Sequence, residues 1–514
     1  MKRPANLMII PGRIYYFVNG LFLIFLVISC SREEPTPVTP DNYTGYTFEI
    51  PEVKGSTFYI DPANGSRQGD GSAENPWRTL QEVIEDELIS YYRYSSEEDP
   101  ETILKVVNEG APVKGGDRLV LKSGYHGYVK RNVFIFQDWL TIEGEQGSQA
   151  ILSQFRMEGA FARVYLNNVT IRKDSYSGDE NYWEADAINR NSDACVYLRA
   201  DDFWGDAGDI KLKDLTLMTT ESAEEWTAAD WVEKAAGGVN VRAVPRVEVI
   251  NCRIQNVSMG MSFSDRANDG RAINNTIRNY CVDGARLISD DLYFAYNTIT
   301  DCYKVDDNHD DAIQSYSIGE DGRVGTGVVS HVVLRGNIIL GTTDFDNPLA
   351  GSPQGIGCFD GFFEDWIVEN NVVIVDHYHG ISFYGMRRGT IAHNTVIDQI
   401  PGNDISPWIM IHPHKDERLS ENCTLINNIA SRSVSAGGHI DQQANFVLRD
   451  HAIENLSGLF LDPDLFNYRL ADNEFTRAHL IDQGSRQNGT ESCLFDIEGN
   501  ARDQYPDLGA YELQ

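Results

Sequence analysis

Val249-Ile250-Asn251-Cys252-Arg253-Ile254 is the first of seven copies of one short phrase. The phrase is an apolar residue, any residue, Asn, then two apolar or Thr positions. Later copies centre on Asn275 (INNTI), Asn297 (AYNTI), Asn337 (RGNII), Asn371 (ENNVV), Asn394 (AHNTV) and Asn428 (INNIA). Successive Asn residues stand 24, 22, 40, 34, 23 and 34 positions apart. Short gaps suit one turn of a solenoid, and long gaps suit one turn plus an insertion. The Val, Ile and Thr after each Asn fit a pleated, half-buried strand. Asn at a repeated corner tolerates the left-handed conformation of a turn, and stacked Asn side chains form hydrogen-bonded ladders. A single rung cannot bury its apolar face, so the rungs must stack and the ends must be covered.

These features predict an all-β, single-stranded right-handed parallel β-helix over residues 56–450, with a helical cap at its N-terminal end and a closing segment at 451–514. Helical periodicity is nearly absent between 110 and 450. The exception is Ser222 to Ala236, read as a helical excursion. Of the eight cysteines, none lies in a CxxC pair or a zinc-type spacing. Cys252, Cys281 and Cys302 are read as small inward-facing residues.

The chain has 514 residues. Its first thirty read as a targeting segment: Lys2, Arg3 and Arg13, then the apolar run Leu21 to Ile28, then Val27-Ile28-Ser29-Cys30. That ending resembles the lipobox of bacterial lipoproteins. The resemblance implies cleavage before Cys30, lipidation of Cys30 and an outer-membrane lipoprotein held in the membrane by that lipid, facing the periplasm or the cell surface. Residues 31–55, rich in Ser, Glu, Pro and Thr at their start, read as a flexible tether. Cleavage would remove three positive charges and no acid, taking the net charge from −34 to −37. Such a chain excludes nucleic-acid binding through a broad basic face. It also repels polyanions at long range, so an anionic partner must be held by local cations. A monomer is expected.

The repeat fixes a register, and the register aligns residues between rungs. Small residues recur nine positions after the Asn at Gly260, Gly284 and Gly380, with Ala312 and Gly355 rejoining the pattern. The residues before them make one outward column: Asp283, Asp311, Gln354, His379. A second row reads Ser262, Arg286, Gln314, Gly357, Ser382, and farther along come Tyr316, Phe359 and Tyr384. The longest insertions fall on the rungs of Asn297, Asn337 and Asn394, where they would wall this column.

The stretches 58–85 and 116–126 resemble the N-terminal entry of carbohydrate-active right-handed β-helix proteins. The segments 460–473, 480–485 and 507–513 resemble their closing segment. Asp307-Asn308-His309-Asp310-Asp311 resembles the Asp-Pro-His-Asp-Asp signature of mannuronan C5-epimerases, with Asn308 in place of the Pro. That resemblance implies Asp307, His309 and Asp310 as an acidic pair around a base. The phrases around 354–365, 376–388 and 407–416 are similar to bacterial β-helix proteins associated with uronate-containing polysaccharides. The resemblance implies a polysaccharide lyase, with alginate favoured. A C5-epimerase, a glycoside hydrolase and a non-catalytic surface glycan-binding protein stay open.

Lyase and epimerase share one first step. The substrate carboxylate is neutralised and a base takes the proton at C5. His309 and His379 are the candidate bases, with Tyr378 as proton donor. Asp307, Asp310, Asp311 and Lys415 complete the catalytic set. Arg286, Gln314, Gln354, Tyr384, Arg387, Trp408, His412 and His414 are the expected substrate contacts. No cofactor is required; Ca²⁺ on Asp307, Asp310 and Asp311 is the candidate metal site. Paired carboxylates on adjacent rungs, about 5 Å apart, would suit a retaining hydrolase. The Gly-His-Gly and Arg-Ile-Lys phrases of pectin-cutting hydrolases are absent.

Overall fold

The computed structural model describes residues 46–94, 104–175, 194–201, 205–399, 405–453, 455–486 and 493–514. The expected signal segment, Cys30 and most of the tether lie outside them. The chain winds as a right-handed parallel β-helix with three strand-bearing faces per rung. One face carries β1 (Ala194–Ala200), β2 (Gly237–Arg242), β3 (Met261–Ser264), β4 (Asp283–Ile288), β5 (Asp311–Tyr316), β6 (Gln354–Asp360), β7 (His379–Tyr384) and β8 (Trp408–His412). Each pairs in parallel with the next. A separate sheet of twelve short strands forms another face. Its Ile254, Ile277, Ile299, Ile339, Val373 and Val396 lie one above the next in register and are all fully buried. This aliphatic stack is what makes the rungs mutually dependent: removing one exposes two neighbours.

The repeated Asn side chains form the expected ladder. Asn275 donates to Asn297, and the chain of bonds runs through Asn337, Asn371, Asn394 and Asn428, each 2.9–3.1 Å. It ends on Asn445, only 17 positions past Asn428. Two expectations change. The left-handed corner belongs to the residue before the ladder Asn: Asn274, Tyr296, Gly336, Asn370, His393 and Asn427 have φ between 54° and 63°. In the first copy the ladder position is Cys252, whose N–H donates to Asn275 Oδ1 at 2.9 Å, and Asn251 is the corner. A row of small residues faces inward against the aliphatic stack, Gly260 on Ile277, Gly284 on Ile299 and Gly380 on Val396. A Cβ on Gly260 would stand 2.2 Å from the carbonyl oxygen of Gly284, so only glycine fits there.

The helix α1 (Leu80–Glu85), capped by Thr79, buries Leu80, Val83 and Ile84 at the N-terminal end. The excursion folds as α2 (Ala228–Lys234), opened by a Thr227–Asp230 capping box. The closing segment holds α3 (Glu474–His479) and an antiparallel pair, Phe460–Asp462 with Asn467–Leu470. Its Leu456, Phe460, Leu480 and Leu508 share a core with Ile374, Ile397 and Ile429, so it flanks the last rungs. Residues 46–55, expected within the tether, are bonded to the solenoid. Tyr46 donates to Glu248 at 2.7 Å, and Lys54 pairs with Asp138 at 2.6 Å. The described cysteines are all buried, and no disulfide joins any two of them. Cys252 and Cys302 belong to the main core, whereas Cys281 packs beneath Trp231 of α2.

Candidate active site

The inferred column is present. Asp283 stands beside Asp311, and Asp311 beside Gln354. Ile356 opposes Ile381, which sets Gln354 level with His379 on the next rung. His379 opposes Trp408. The second row, Ser262 through Arg286, Gln314, Gly357 and Ser382, is also in register. The third row is displaced by a bulge in β6: Tyr316 meets Asp360, which leaves Phe359 out of step.

Loops stand at both ends of these strands. Before β5 and β6, the segments 303–310 and 341–353 join α2. Trp231 meets Tyr303 edge-on at 5.1 Å, Val305 and Leu349 fill the same cluster, and the Lys304 N–H donates to the Leu349 carbonyl at 2.8 Å. Next to this wall Asp283 and Asp311 are 0% and 1% exposed. Segments 317–327 and 413–419 stand at the other end.

The polar groups fall into two layers. In the enclosed layer, Asp283 accepts from Arg286 Nε at 3.0 Å and from the Asp311 backbone N–H at 3.1 Å. Asp311 Oδ2 accepts from Gln314 Nε2 at 2.8 Å. Asp311 Oδ1 and Gln354 Oε1, on directly paired residues, are buried with no hydrogen-bond partner. Burial raises the pKa of both carboxyls. Arg286 opposes the rise at Asp283, whereas the Asp283 charge adds to it at Asp311. Asp311 is therefore the member that keeps its proton.

The accessible layer, in which Lys304, His309 and Tyr378 are exposed and Asp310 is buried, is different in chemistry. Asp310 accepts from Asn308 Nδ2 at 3.1 Å and lies 3.5 Å from Lys304 Nζ. Burial, opposed by Lys304, pushes its pKa up to about 6. His377 and His379 stack with ring centroids 5.4 Å apart, and the backbone N–H of His379 donates to His377 Nδ1 at 3.1 Å. That bond makes Nδ1 the acceptor, so the neutral His377 ring carries its proton on Nε2. His379 Nδ1 lies 2.9 Å from Ser382 Oγ, which also accepts from Trp408 Nε1 at 2.9 Å. Burial lowers both histidines to about 4, helped by His309 at His377 and by His377 at His379. Both imidazoles are neutral at pH 7. The exposed His309 is thereby close enough to His377 to be felt there. Tyr378, 40% exposed, lies 4.7 Å from the His379 ring and 5.1 Å from Trp408. Phe359 is 4.8 Å from His379 and 5.6 Å from Tyr384.

Several expected contacts are placed elsewhere. Lys415 pairs with Asp360 at 2.7 Å, at the far end of β6. Arg387 is bound to Glu364 at 2.9 Å and lies 3.5 Å over the Phe362 ring. His414 is buried, stacked on Phe362 at 5.0 Å and paired with Asp416 at 2.7 Å. Arg387 and His414 are thus already engaged, by Glu364 and by Phe362 and Asp416. His412 is exposed beside Tyr384, 5.4 Å between rings, also at the far end. The candidate Ca²⁺ set does not converge. Asp307 points into solvent, Asp310 is taken by Lys304 and Asn308, and Asp311 by Gln314. Among the described residues no three His, Cys, Asp or Glu side chains gather as a metal site.

His377 and Lys304 were not singled out by the sequence. The period-two spacing of His377 and His379 is a usable signal for the first, since it puts both on one side of the entry to β7. Lys304 is placed by its loop's docking on 349–350, which no local pattern announces.

No protein-family model matches the chain, and no curated protein sequence matches it. Solved structures similar in course include the pectate lyase Pel9A, at 12% identity over 90% of this chain and 98% of that one, with a TM-score of 0.46. A rhamnogalacturonan lyase is similar at 12% identity over 88% and 96%, TM-score 0.45. The PL6 family alginate lyase AlyGC is similar at 13% identity over 65% and 49%, TM-score 0.36. The fold of this chain, a right-handed parallel β-helix, rests on its own strand ladders.

Proposed function

We propose that the chain is a polysaccharide lyase that cuts a uronate-containing polymer, with alginate the favoured substrate. One observation carries this reading. In the accessible layer neutral imidazoles and a lysine stand with one carboxyl near pKa 6, that of Asp310, whose side chain is 4% exposed, whereas Asp283 and Asp311 are fully enclosed. A hydrolase needs a second carboxylate in reach of the sugar; β-elimination needs a base, a neutralised carboxylate and an acid.

In this mechanism Lys304 meets the substrate carboxylate. His379, held by Ser382, takes the C5 proton through Nε2. The electron pair forms the C4–C5 double bond as the C4–O bond breaks, and Asp310 protonates the leaving oxygen. His309 and the Nε2–H of His377 hydrogen-bond the substrate, and Tyr378 and Trp408 line the sugar path. Asp311, still protonated, supports the layer beneath. The chain acts as an outer-membrane lipoprotein anchored through Cys30; Cys30→Ala should move it from the membrane fraction to the soluble one.

The test incubates the protein with alginate, pectate and glycosaminoglycans. Ultraviolet absorbance of an unsaturated uronate end identifies the lyase. Solvent proton exchange at C5 without absorbance means an epimerase, and new reducing ends without absorbance mean a hydrolase on the enclosed pair. Either of those outcomes, or no change in any polymer, overturns the reading.

A further inference from the structure

Arg199 and Arg242 face one another across the β1–β2 ladder. They lie two residues past the row that runs Tyr197, Asn240, Ser262, Arg286. By the period-two rule they share the outward face with the candidate site. From the rung of Asp311, next to Asp310, β2 is three rungs away and β1 four, about 14 and 19 Å along the axis; from His379 on β7 they are five and six rungs away. Beside them a cleft of about 550 Å³ opens, reaching Arg266, Ser289, Ile318 and Val328. It lies alongside the acid–histidine cluster, not over it.

The chemistry of this cleft is mixed in a particular way. Arg199 is exposed and has no ion pair among the described residues. Arg242 spends Nε on Asp265 at 2.5 Å, which leaves its two other nitrogens. The acids of the cleft are engaged: Asp265 with Arg242, Asp290 with the Ser330 amide at 2.8 Å, and Asp201 with a partner of its own. Ile318 and Val328, 45% and 47% exposed, supply an apolar surface. A guanidinium pair next to exposed aliphatic side chains matches an acidic pyranose, with its carboxylate at one edge and its C–H face at the other.

We infer that this cleft is a second sugar-binding subsite, taking an acidic unit of the polymer three to four rungs from Asp310 and five to six from His379, the groups that act on the reacting unit. The inference rests on the lyase reading for the polymer's class. It answers a problem that reading poses. The chain carries −34 charges, and in the acid–histidine cluster Arg286 is committed to Asp283, leaving Lys304 shared with Asp310. Repulsion is screened beyond about 8 Å at physiological salt, so a local arginine pair suffices to hold a polyanion.

The experiment is affinity electrophoresis of the full chain in gels containing alginate, pectate or a neutral β-glucan. Wild type should be retarded by at least one acidic polymer. Arg199→Ala/Arg242→Ala should lose about tenfold in apparent affinity for it. The charge-preserving Arg199→Lys/Arg242→Lys should keep most of that affinity, and the neutral glucan should show no arginine dependence. In turnover, KM for polymer should rise with kcat unchanged, and oligomers too short to span the two sites should be unaffected. Arginine-dependent retardation without any cleavage would remove the lyase reading and leave the subsite. An alanine double variant that binds like wild type, or a wild type that neither acidic polymer retards, overturns the subsite.

Discussion

Two buried polar stacks run through the same rungs, and they are built on opposite rules. The Asn ladder repeats one residue, and each side chain from Asn275 to Asn428 donates to the next in line. The column on the neighbouring face keeps to no single residue: it reads Asp283, Asp311, Gln354, His379. There Asp311 Oδ1 and Gln354 Oε1 lack donors although Asp311 is as buried as the ladder. An unmet buried acceptor costs about 1–3 kcal/mol. Only a proton kept on Asp311 lets these two oxygens meet each other's needs, whereas the ladder depends on no titrating group. The difference separates a polar stack that holds rungs together from one retained for chemistry.

The largest expected effect strikes beside the second stack. Asp310→Asn removes the carboxyl near pKa 6 next to Asp311 and should lower kcat by about 10² to 10⁴. Wild-type kcat/KM should be bell-shaped. Activity requires neutral His379, which fails below about 4, and protonated Asp310, which fails above about 6. The optimum therefore lies near pH 5, between the two. In the residual activity of Asp310→Asn the limb near 6 should vanish while the limb near 4 stays. A variant that keeps the upper limb assigns it to another group.

The next effect breaks the first stack. Asn337→Ala deletes a side chain whose Nδ2 meets Phe294 O at 3.0 Å and whose Oδ1 accepts from the Asn297 backbone at 3.0 Å. The groups left behind are fully buried, so the loss should be about 3 kcal/mol, read by chaotrope unfolding. The kcat of the folded fraction should be unchanged, because the ladder touches none of the accessible layer. A variant of wild-type stability would show that the ladder is replaceable by water.

The repeat carried the solenoid, its register and the rows of Asp283, Arg286 and their neighbours, because β-helix side chains obey period two and parallel strands stack one residue on one. It failed by one position at Asn251, where Asn-Cys replaces the Asn-Asn of Asn274-Asn275 and the corner residue passes for the ladder residue. It also failed where the chain leaves the rung. Arg387, His414 and the catalytic candidate Lys415 stand in the phrases at 376–388 and 407–416, yet Glu364, Phe362, Asp416 and Asp360 claim them. Sequence shows that a cation is nearby; only packing shows whether it is already spent. The same holds for Asp307, Asp310 and Asp311, close in sequence and divergent in their partners.

The smallest effect distinguishes the stacks most directly, because it should have opposite sign to a ladder mutation. Asp311→Asn keeps the shape, retains an oxygen for Gln314 Nε2, and puts an N–H where the unpartnered Oδ1 faces the Gln354 rung. The folded pKa of Asp311 is raised, first by burial and then by Asp283. The folded protein therefore binds the proton more tightly than the unfolded chain does. Stability from this group is full below the unfolded value of about 3.9 and is lost as pH rises toward the folded value. The Asn variant does not titrate. It should match wild type near pH 4 and exceed it by about 1–2 kcal/mol at pH 7 to 8. Unfolding midpoints at both pH values decide it. A loss of stability at pH 7 like that of Asn337→Ala would mean that the Asp311 carboxylate is held ionised and satisfied, and that the two stacks do the same work.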